Sequence, residues 1–297
     1  MKIKFIAYWN SDQNIYDFIN DIWNIDGQFD DILTHQDDYT HLVILNKATI
    51  PNNISKDNIY GIILEPNWSP NFNRGLFLEC NKVISYQPEV YDYDNIVFKP
   101  LLGTHRLYDC HYKGEIVYAK DTTKNIINTR FEKTKKLSII INNHCWSSES
   151  FKQTYPVTRY QERLSLVTKL LNSDLDFDMY GLDWDINDSR YKGFLPNKLD
   201  GIKNYEYTIA LENSNIRGNI TEKIIDSILC RTKPIYNGHV SIEEFYPNCY
   251  EYLEYDGNEI DRIKKIISTK KEYDFDTAIN TSLNIYNPIK IIYELAN

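Results

Sequence analysis

Short, continuous apolar runs recur along the chain, separated by polar stretches in which apolar residues return at helical spacing. The runs are Ile3–Trp9, His41–Leu45, Ile59–Leu64, Val83–Tyr86 and Ile96–Phe98, followed by Leu137–Ile141, Phe177–Tyr180, Tyr207–Leu211, Pro234–Tyr236 and Tyr250–Tyr255. Hydrophobicity that is continuous rather than alternating predicts strands covered on both faces, as in a parallel sheet. Between the runs, Asn14–Trp23, Arg163–Asn172 and Thr221–Cys230 place apolar groups on one helical face, and Ile285–Leu295 predicts a closing helix. Strands alternating with helices predict an α/β architecture.

One stretch interrupts the pattern. Residues 119–136 are polar, basic and poor in large apolar groups, which predicts a linker. The expected domains are therefore 1–130 and 131–297, two α/β halves facing each other across a cleft, with the last helix packing back on the first half. A length of 297 residues accommodates two domains of ordinary size.

Composition narrows the functions open to such a fold. The net charge is −9 at pH 7, without the basic stripe that a general nucleic-acid binder needs to neutralise phosphates. A small anionic ligand is still compatible, since a few local cations suffice. The five cysteines, Cys80, Cys110, Cys145, Cys230 and Cys249, form no C-x-x-C pair, so neither a zinc site nor a full disulfide framework is expected. Reduced thiols fit a cytoplasmic protein. No apolar run approaches the roughly 20 residues a membrane span needs, and the first run is too short for a signal peptide. The 24 tyrosines reflect either coding bias or aromatic faces for stacking on sugar rings.

The densest chemistry lies in residues 207–238. A buried strand through Leu211 leads to Glu212-Asn213-Ser214, a polar turn, then a helix opening at Thr221-Glu222-Lys223, and a second strand running Pro234-Ile-Tyr236-Asn-Gly238. Asn219 and Glu222 have the spacing of a capping box, with Pro234 expected to stop the helix. Lys223 in the first turn works against the helix dipole, unless an anion also occupies that end. Otherwise it is a solvated turn residue. A strand feeding a helix in this way aims backbone N–H groups and a lysine at one point, which suits a diphosphate. Glu212 and Asn213, at the end of a buried strand, either bind sugar or ribose hydroxyls or brace the turn.

These residues carry a resemblance to the α-1,3-fucosyltransferase family. Glu212-Asn-Ser, Thr221-Glu-Lys and Pro234-Ile-Tyr-x-Gly238 are similar to that family's donor-binding motif, and residues 197–207 resemble its lead-in strand. Upstream, Arg163, Leu170 and Phe177-Asp-Met-Tyr-Gly181 resemble the family's arginine, helix and Val-Asp-x-Tyr-Gly strand. The resemblance implies two facing Rossmann-like domains of GT-B type with an interdomain cleft. It also implies an inverting transfer of fucose from GDP-fucose to a glycan hydroxyl. Arg163, or Arg159 one turn earlier, would then meet the diphosphate together with Lys223. Glu212, Asn213, Ser214, Asn219, Thr221, Glu222 and Tyr236 would complete the donor site. Asn219 departs from the family, which has a tyrosine there, so another nucleotide-sugar donor is the rival reading. A non-catalytic nucleotide- or glycan-binding relative is the reading from a different class.

Glu65 ends a predicted buried strand and precedes a Pro-rich loop, Pro66-Asn-Trp-Ser-Pro-Asn-Phe72. Taken alone it is a turn residue or a carboxylate raised in pKa by apolar neighbours toward general-base work. The loop resembles the family's Glu-Asn-x-x-Pro-Asn-Phe, whose glutamate is the base, although Pro66 replaces the asparagine. Five Asp-x-Asp pairs occur at 92/94, 174/176, 176/178, 183/185 and 274/276, none leading from a clear apolar strand into a loop. A divalent metal and a tightly bound cofactor are therefore not expected. Arg163, Lys223 and the helix N-terminus would take the metal's place. His144, at the end of the Leu137–Ile141 run, is either a donor contact or loop filler.

Overall fold

A computed structural model of the chain describes residues 1–8, 10–64, 75–86, 93–99, 110–112, 115–117, 123–143 and 158–297. The chain divides into two compact units. The first comprises Met1–Gly103, Arg217–Asn219 and Ser282–Asn297, and the second Thr104–Ile216 with Ile220–Thr281.

The first unit is built on a five-stranded, wholly parallel sheet: β1 (Ile3–Ala7), β2 (His41–Leu45), β3 (Ile59–Ile62), β4 (Lys82–Ser85) and β5 (Ile96–Phe98), ordered as numbered. The continuous apolar runs have the predicted consequence, because β1 to β4 are buried along nearly their whole length. Helix α1 (Asp12–Trp23) starts at Ser11, whose hydroxyl accepts from the Asn14 N–H. It buries Ile15, Ile19, Ile22 and Trp23 at helical spacing, and Trp23 meets Phe5 of β1 with ring centroids 5.9 Å apart. The short α2 (Leu76–Glu79) precedes β4.

A small antiparallel pair, β6 (Cys110–Tyr112) and β7 (Glu115–Val117), comes next in the chain. The polar stretch predicted to be a linker is in part regular structure. Helix α3 (Thr123–Asn128) forms there, with Thr123 and Ile126 buried, and β8 (Lys135–Ile140) begins before the stretch ends. Two inward residues are enough to dock one helical turn, so polar composition alone misjudged it.

The second unit carries the other parallel sheet, β8, β9 (Asp178–Tyr180), β10 (Tyr205–Leu211), β11 (Lys233–Asn237) and β12 (Glu251–Tyr252), in the order β12-β11-β10-β8-β9. The chain steps from β8 to β9 on one side, then crosses to β10 on the other and continues outward. Strand order therefore reverses between β8 and β10. Helices α4 (Tyr160–Leu171), α5 (Glu222–Leu229), α6 (Glu259–Ser268) and α7 (Phe275–Asn280) belong to this unit. Arg190 closes the carboxyl end of α4. Its guanidinium donates to the carbonyls of Leu170, Leu171, Ser173 and Leu175 and pairs with Asp188.

Two local expectations are corrected. The N-cap of α5 is Thr221, whose hydroxyl accepts from the Lys223 N–H, and not Asn219; Glu222 is thereby the first helical residue rather than the third. Pro234 does not stop the helix. The helix closes at Cys230 and Arg231, the latter in the left-handed region at φ 52°, and Pro234 lies inside β11. That strand tolerates a proline because its outer neighbour β12 pairs only with Ile235 and Tyr236. The closing helix α8 (Pro288–Ala296) has Asn287 as its N-cap and belongs to the first unit.

Candidate functional site

In open α/β sheets, ligands bind outside the carboxyl ends of the strands where strand order reverses. In the second unit that point lies beside the end of β10. Ladder bonding carries on past the strand, since the Glu212 N–H donates to the Asn237 carbonyl at 2.9 Å. The start of α4 is pinned to the same place. Thr158 forms an isolated antiparallel bridge with Ser214, and the Arg159 N–H donates to the Asn213 carbonyl at 2.9 Å.

This junction draws together residues far apart in sequence. Arg159 is the N-cap of α4, and its guanidinium donates to Oδ1 of Asn237 at 3.0 Å. Arg163, one turn on, donates to Oδ1 of Asn213 and is buried, with 6% of its surface exposed. Burial lowers its pKa from the usual arginine value. The Nε of each arginine is buried and has no hydrogen-bond partner. Arg163 lies over the Tyr160 ring and Arg159 over that of Tyr255, each 5.5 Å from the centroid. The two arginines thus share one site on successive turns of the chain.

Glu212 is closed to solvent, and both its oxygens face the start of α5. Oε1 accepts from the Thr221 N–H at 2.9 Å and Oε2 from the Thr221 hydroxyl at 2.7 Å. This contact explains the choice of cap. Gly218, at φ 73°, turns the chain so that Thr221 rather than Asn219 meets the buried carboxylate. Lys223 Nζ donates to Oγ1 of Thr221 at 3.0 Å and to Glu222 at 3.1 Å, and stands 3.6 Å from Oε2 of Glu212. Its side chain is 19% exposed. Burial raises the Glu212 pKa, a shift that the Lys223 charge opposes.

Tyr236 of β11 is fully buried, its hydroxyl lacks a hydrogen-bond partner, and burial drives its pKa well up. Gly238 is required next to it: a Cβ there would lie 2.1 Å from the Tyr236 hydroxyl and 2.8 Å from Cγ of Glu212. Asn219 is buried in the turn before Thr221, and Ser214 is fully buried.

The structure accordingly brings Arg159, Arg163, Glu212, Asn213, Ser214, Thr221, Glu222, Lys223 and Tyr236 into one neighbourhood of the second unit. Asn219 groups with the first unit. Glu65, Pro66, His144, Cys145 and Trp146 lie outside the described residues. Asn237 was not singled out from sequence, although it holds Arg159 through Oδ1 and the Leu253 carbonyl through its amide. Its position, at the end of a buried strand and next to an obligatory glycine, is the signal that marks it. Among the described residues no group of three His, Cys, Asp or Glu side chains is placed to hold a metal ion, and no helix is long and apolar enough to cross a membrane.

No family model matches the chain. Over 103 residues it is 31% identical to an alpha-(1,3)-fucosyltransferase FucT of Helicobacter pylori, a match covering 33% of this chain and 21% of that protein. Over 91 residues it is 29% identical to a fucosyltransferase-like protein of Arabidopsis thaliana, covering 31% of this chain and 17% of that one. The matched stretch therefore spans about a fifth of these relatives' length. In fold, a crystal structure of an alpha1,3-fucosyltransferase with GDP superposes with a TM-score of 0.53 at 18% identity, covering 99% of this chain and 89% of the other. Two Rossmann-like α/β units of GT-B type, sharing the fold of an α1,3-fucosyltransferase and resembling that family in sequence, are what this chain is made of.

Proposed function

We propose that the protein is an inverting glycosyltransferase that moves fucose from GDP-fucose to a hydroxyl of a glycan acceptor. The observation that carries this reading is the convergence of Arg159, Arg163 and Lys223 at the carboxyl end of β10, beside the reversal of strand order. Residues 131–297 are the donor side in this reading, apart from the closing helix that belongs to the first unit, and residues 1–130 the acceptor side.

The acceptor oxygen attacks the anomeric carbon from the face opposite the nucleotide. As the new C–O bond forms, the bond from that carbon to the β-phosphate oxygen breaks, and the electron pair leaves with GDP. Glu65 takes the acceptor's proton. Charge grows on the departing diphosphate, so cations fixed in advance stabilise the transition state more than the ground state. Arg163 suits that task because its guanidinium is buried, oriented by Asn213 and still holds an uncommitted Nε–H. Glu212 acts through its neighbours, holding Thr221 and with it Lys223. Gly238 and Tyr236 form the wall behind it.

Support for GDP comes from the sequence motif and from the shared fold of an enzyme crystallised with GDP. Thermal-shift measurements with GDP, UDP, ADP and dTDP test it, with stabilisation by GDP alone or most strongly by GDP expected. Asn219 motivates the rival donor: it is 5% exposed and turned into the fold, where the family has a tyrosine. Stabilisation by UDP or dTDP in preference to GDP would replace fucose with another sugar. Glu65→Gln should abolish transfer while leaving nucleotide binding intact, and undiminished transfer would remove Glu65 from the mechanism.

A further inference from the structure

The first unit contains a pocket that the reading above does not use. It follows from an omission in the fold. Helix α1 covers one face of β1, but the connection from β2 to β3 carries only a single 3₁₀ turn, Lys56–Asn58, in place of a crossover helix. The opposite face is therefore left unroofed at its β1 edge, and a pocket of about 690 Å³ opens over Lys4, Ile6 and Leu42. That volume lies within the roughly 300–1,000 Å³ typical of small-molecule sites.

The lining is chemically specific. Lys4 sits in the middle of β1, a position filled by apolar residues on either side, and its side chain is only 8% exposed. Its ammonium pairs with Oδ2 of Asp12 at 2.9 Å and Oδ1 of Asp37 at 3.0 Å, and lies 5.3 Å from the centroid of the Tyr39 ring. The lysine thus fixes one oxygen of each carboxylate. The carboxylates are otherwise open to the pocket mouth, with 49% of the Asp12 side chain and 95% of the Asp37 side chain exposed. Tyr8, at the end of β1, is 48% exposed at the same rim.

These features select among ligand classes. An anion gains little, because the buried ammonium already has two carboxylates against it. A cation fares no better, since Lys4 and Lys47 balance Asp12 and Asp37 among the lining residues. A purely apolar ligand would strip water from both carboxylates without replacing their hydrogen bonds. A neutral polyol satisfies all of it: hydroxyl donors for the oriented carboxylate oxygens and C–H faces for the tyrosine rings. We propose that the Lys4–Asp12–Asp37 pocket binds a neutral saccharide of one or two rings, independently of any nucleotide.

Saturation-transfer NMR on the full chain tests this with lactose, cellobiose and N,N′-diacetylchitobiose at about 5 mM, suited to the millimolar affinity of a small site. Inorganic phosphate is the anion control, and no nucleotide is present. The expected result is transfer to at least one disaccharide, weakened about tenfold in Asp37→Ala, which removes a charged acceptor, and about fivefold in Tyr8→Ala, which removes a neutral contact. Both side chains are exposed, so an unchanged circular-dichroism melt separates lost binding from lost folding. Lys4→Met should weaken binding likewise, by freeing both carboxylates from their orientation. Transfer to none of the sugars, transfer undiminished in both exposed variants, or binding of phosphate in their place would each overturn the proposal. The GDP thermal shift is read on the same samples, so failure of this pocket and failure of the donor reading are told apart.

Discussion

The two units share an architecture and differ in how their strands are ordered. In the first, the strands β1 through β5 are added on one side in turn, after a single parallel bridge from Leu33 to Ile3 at the outer edge of β1. In the second, strand order reverses between β8 and β10, and two buried charges meet beside that point: Arg163 and Glu212 carry 6% and 0% exposure. The buried cation of the first unit, Lys4, sits mid-strand with partners that are themselves exposed. A five-stranded parallel sheet by itself therefore specifies no chemistry. Topology decides where a concave end forms, and the residues just past the strand ends decide what it binds.

That contrast can be broken experimentally, beginning where the effect is largest. Lys223→Ala and Arg163→Ala should each lower the turnover of glycosyl transfer by about a hundredfold or more, about 2.7 kcal/mol of transition-state stabilisation. Steady-state kinetics with GDP-fucose checks this, and full turnover in both variants would end the proposed mechanism. Arg190→Ala should destabilise the second unit by about 2–3 kcal/mol, because four carbonyls at the end of α4 lose a charged donor together. Urea denaturation followed by tryptophan fluorescence measures it.

Gly238→Ala should cost about 2 kcal/mol, since its Cβ would overlap the Tyr236 hydroxyl and force the wall of the site to shift. A raised KM for the donor with a lowered Tm is the expected pattern. Lys4→Met in the first unit should change stability by less than about 1 kcal/mol, because an apolar replacement of similar length removes the desolvation cost along with the ion pairs. A large loss of stability there would mean that the two units depend on buried charge alike.

The smallest effect is in pH dependence. Burial holds the Glu212 pKa above its ordinary value of 4.5, so the folded state binds this proton more readily than the unfolded chain. Its contribution to stability is fully present below that value and is lost as pH rises through the folded pKa. Glu212→Gln should flatten the stability profile in that window. A profile superposable on that of the unsubstituted protein would show that Lys223 and Thr221 cancel the effect of burial.

Much of the fold could be read from local pattern. His41–Leu45 and Ile96–Phe98 are strands with the predicted limits, and the helical spacing of Ile15, Ile19 and Ile22 lies on the buried face of α1. What escaped was decided by contacts distant in sequence. Asn219 and Thr221 are both good caps, and the buried carboxylate of Glu212, nine residues before Thr221, chooses between them. Helix α3 depends on two docked side chains inside a polar stretch. The role of Arg190 was invisible because its acceptors are the backbone of another element, whose side chains say nothing about it.

The first unit is not continuous along the chain. Asn287 donates to the Trp23 carbonyl at 2.7 Å and to the Leu283 carbonyl at 3.0 Å, while its Oδ1 accepts from the N–H groups of Ile289 and Lys290. One amide joins the end of α1 to the start of α8, across 264 residues of sequence. On a ribosome, the first hundred residues emerge early yet must wait for the last sixteen before this clasp can close. The second unit, already complete, is thus the earlier of the two to finish folding during synthesis. A free chain truncated just before Ser282 would show it: limited proteolysis should spare the second unit and cut the first, and equal protection of both would refute that order.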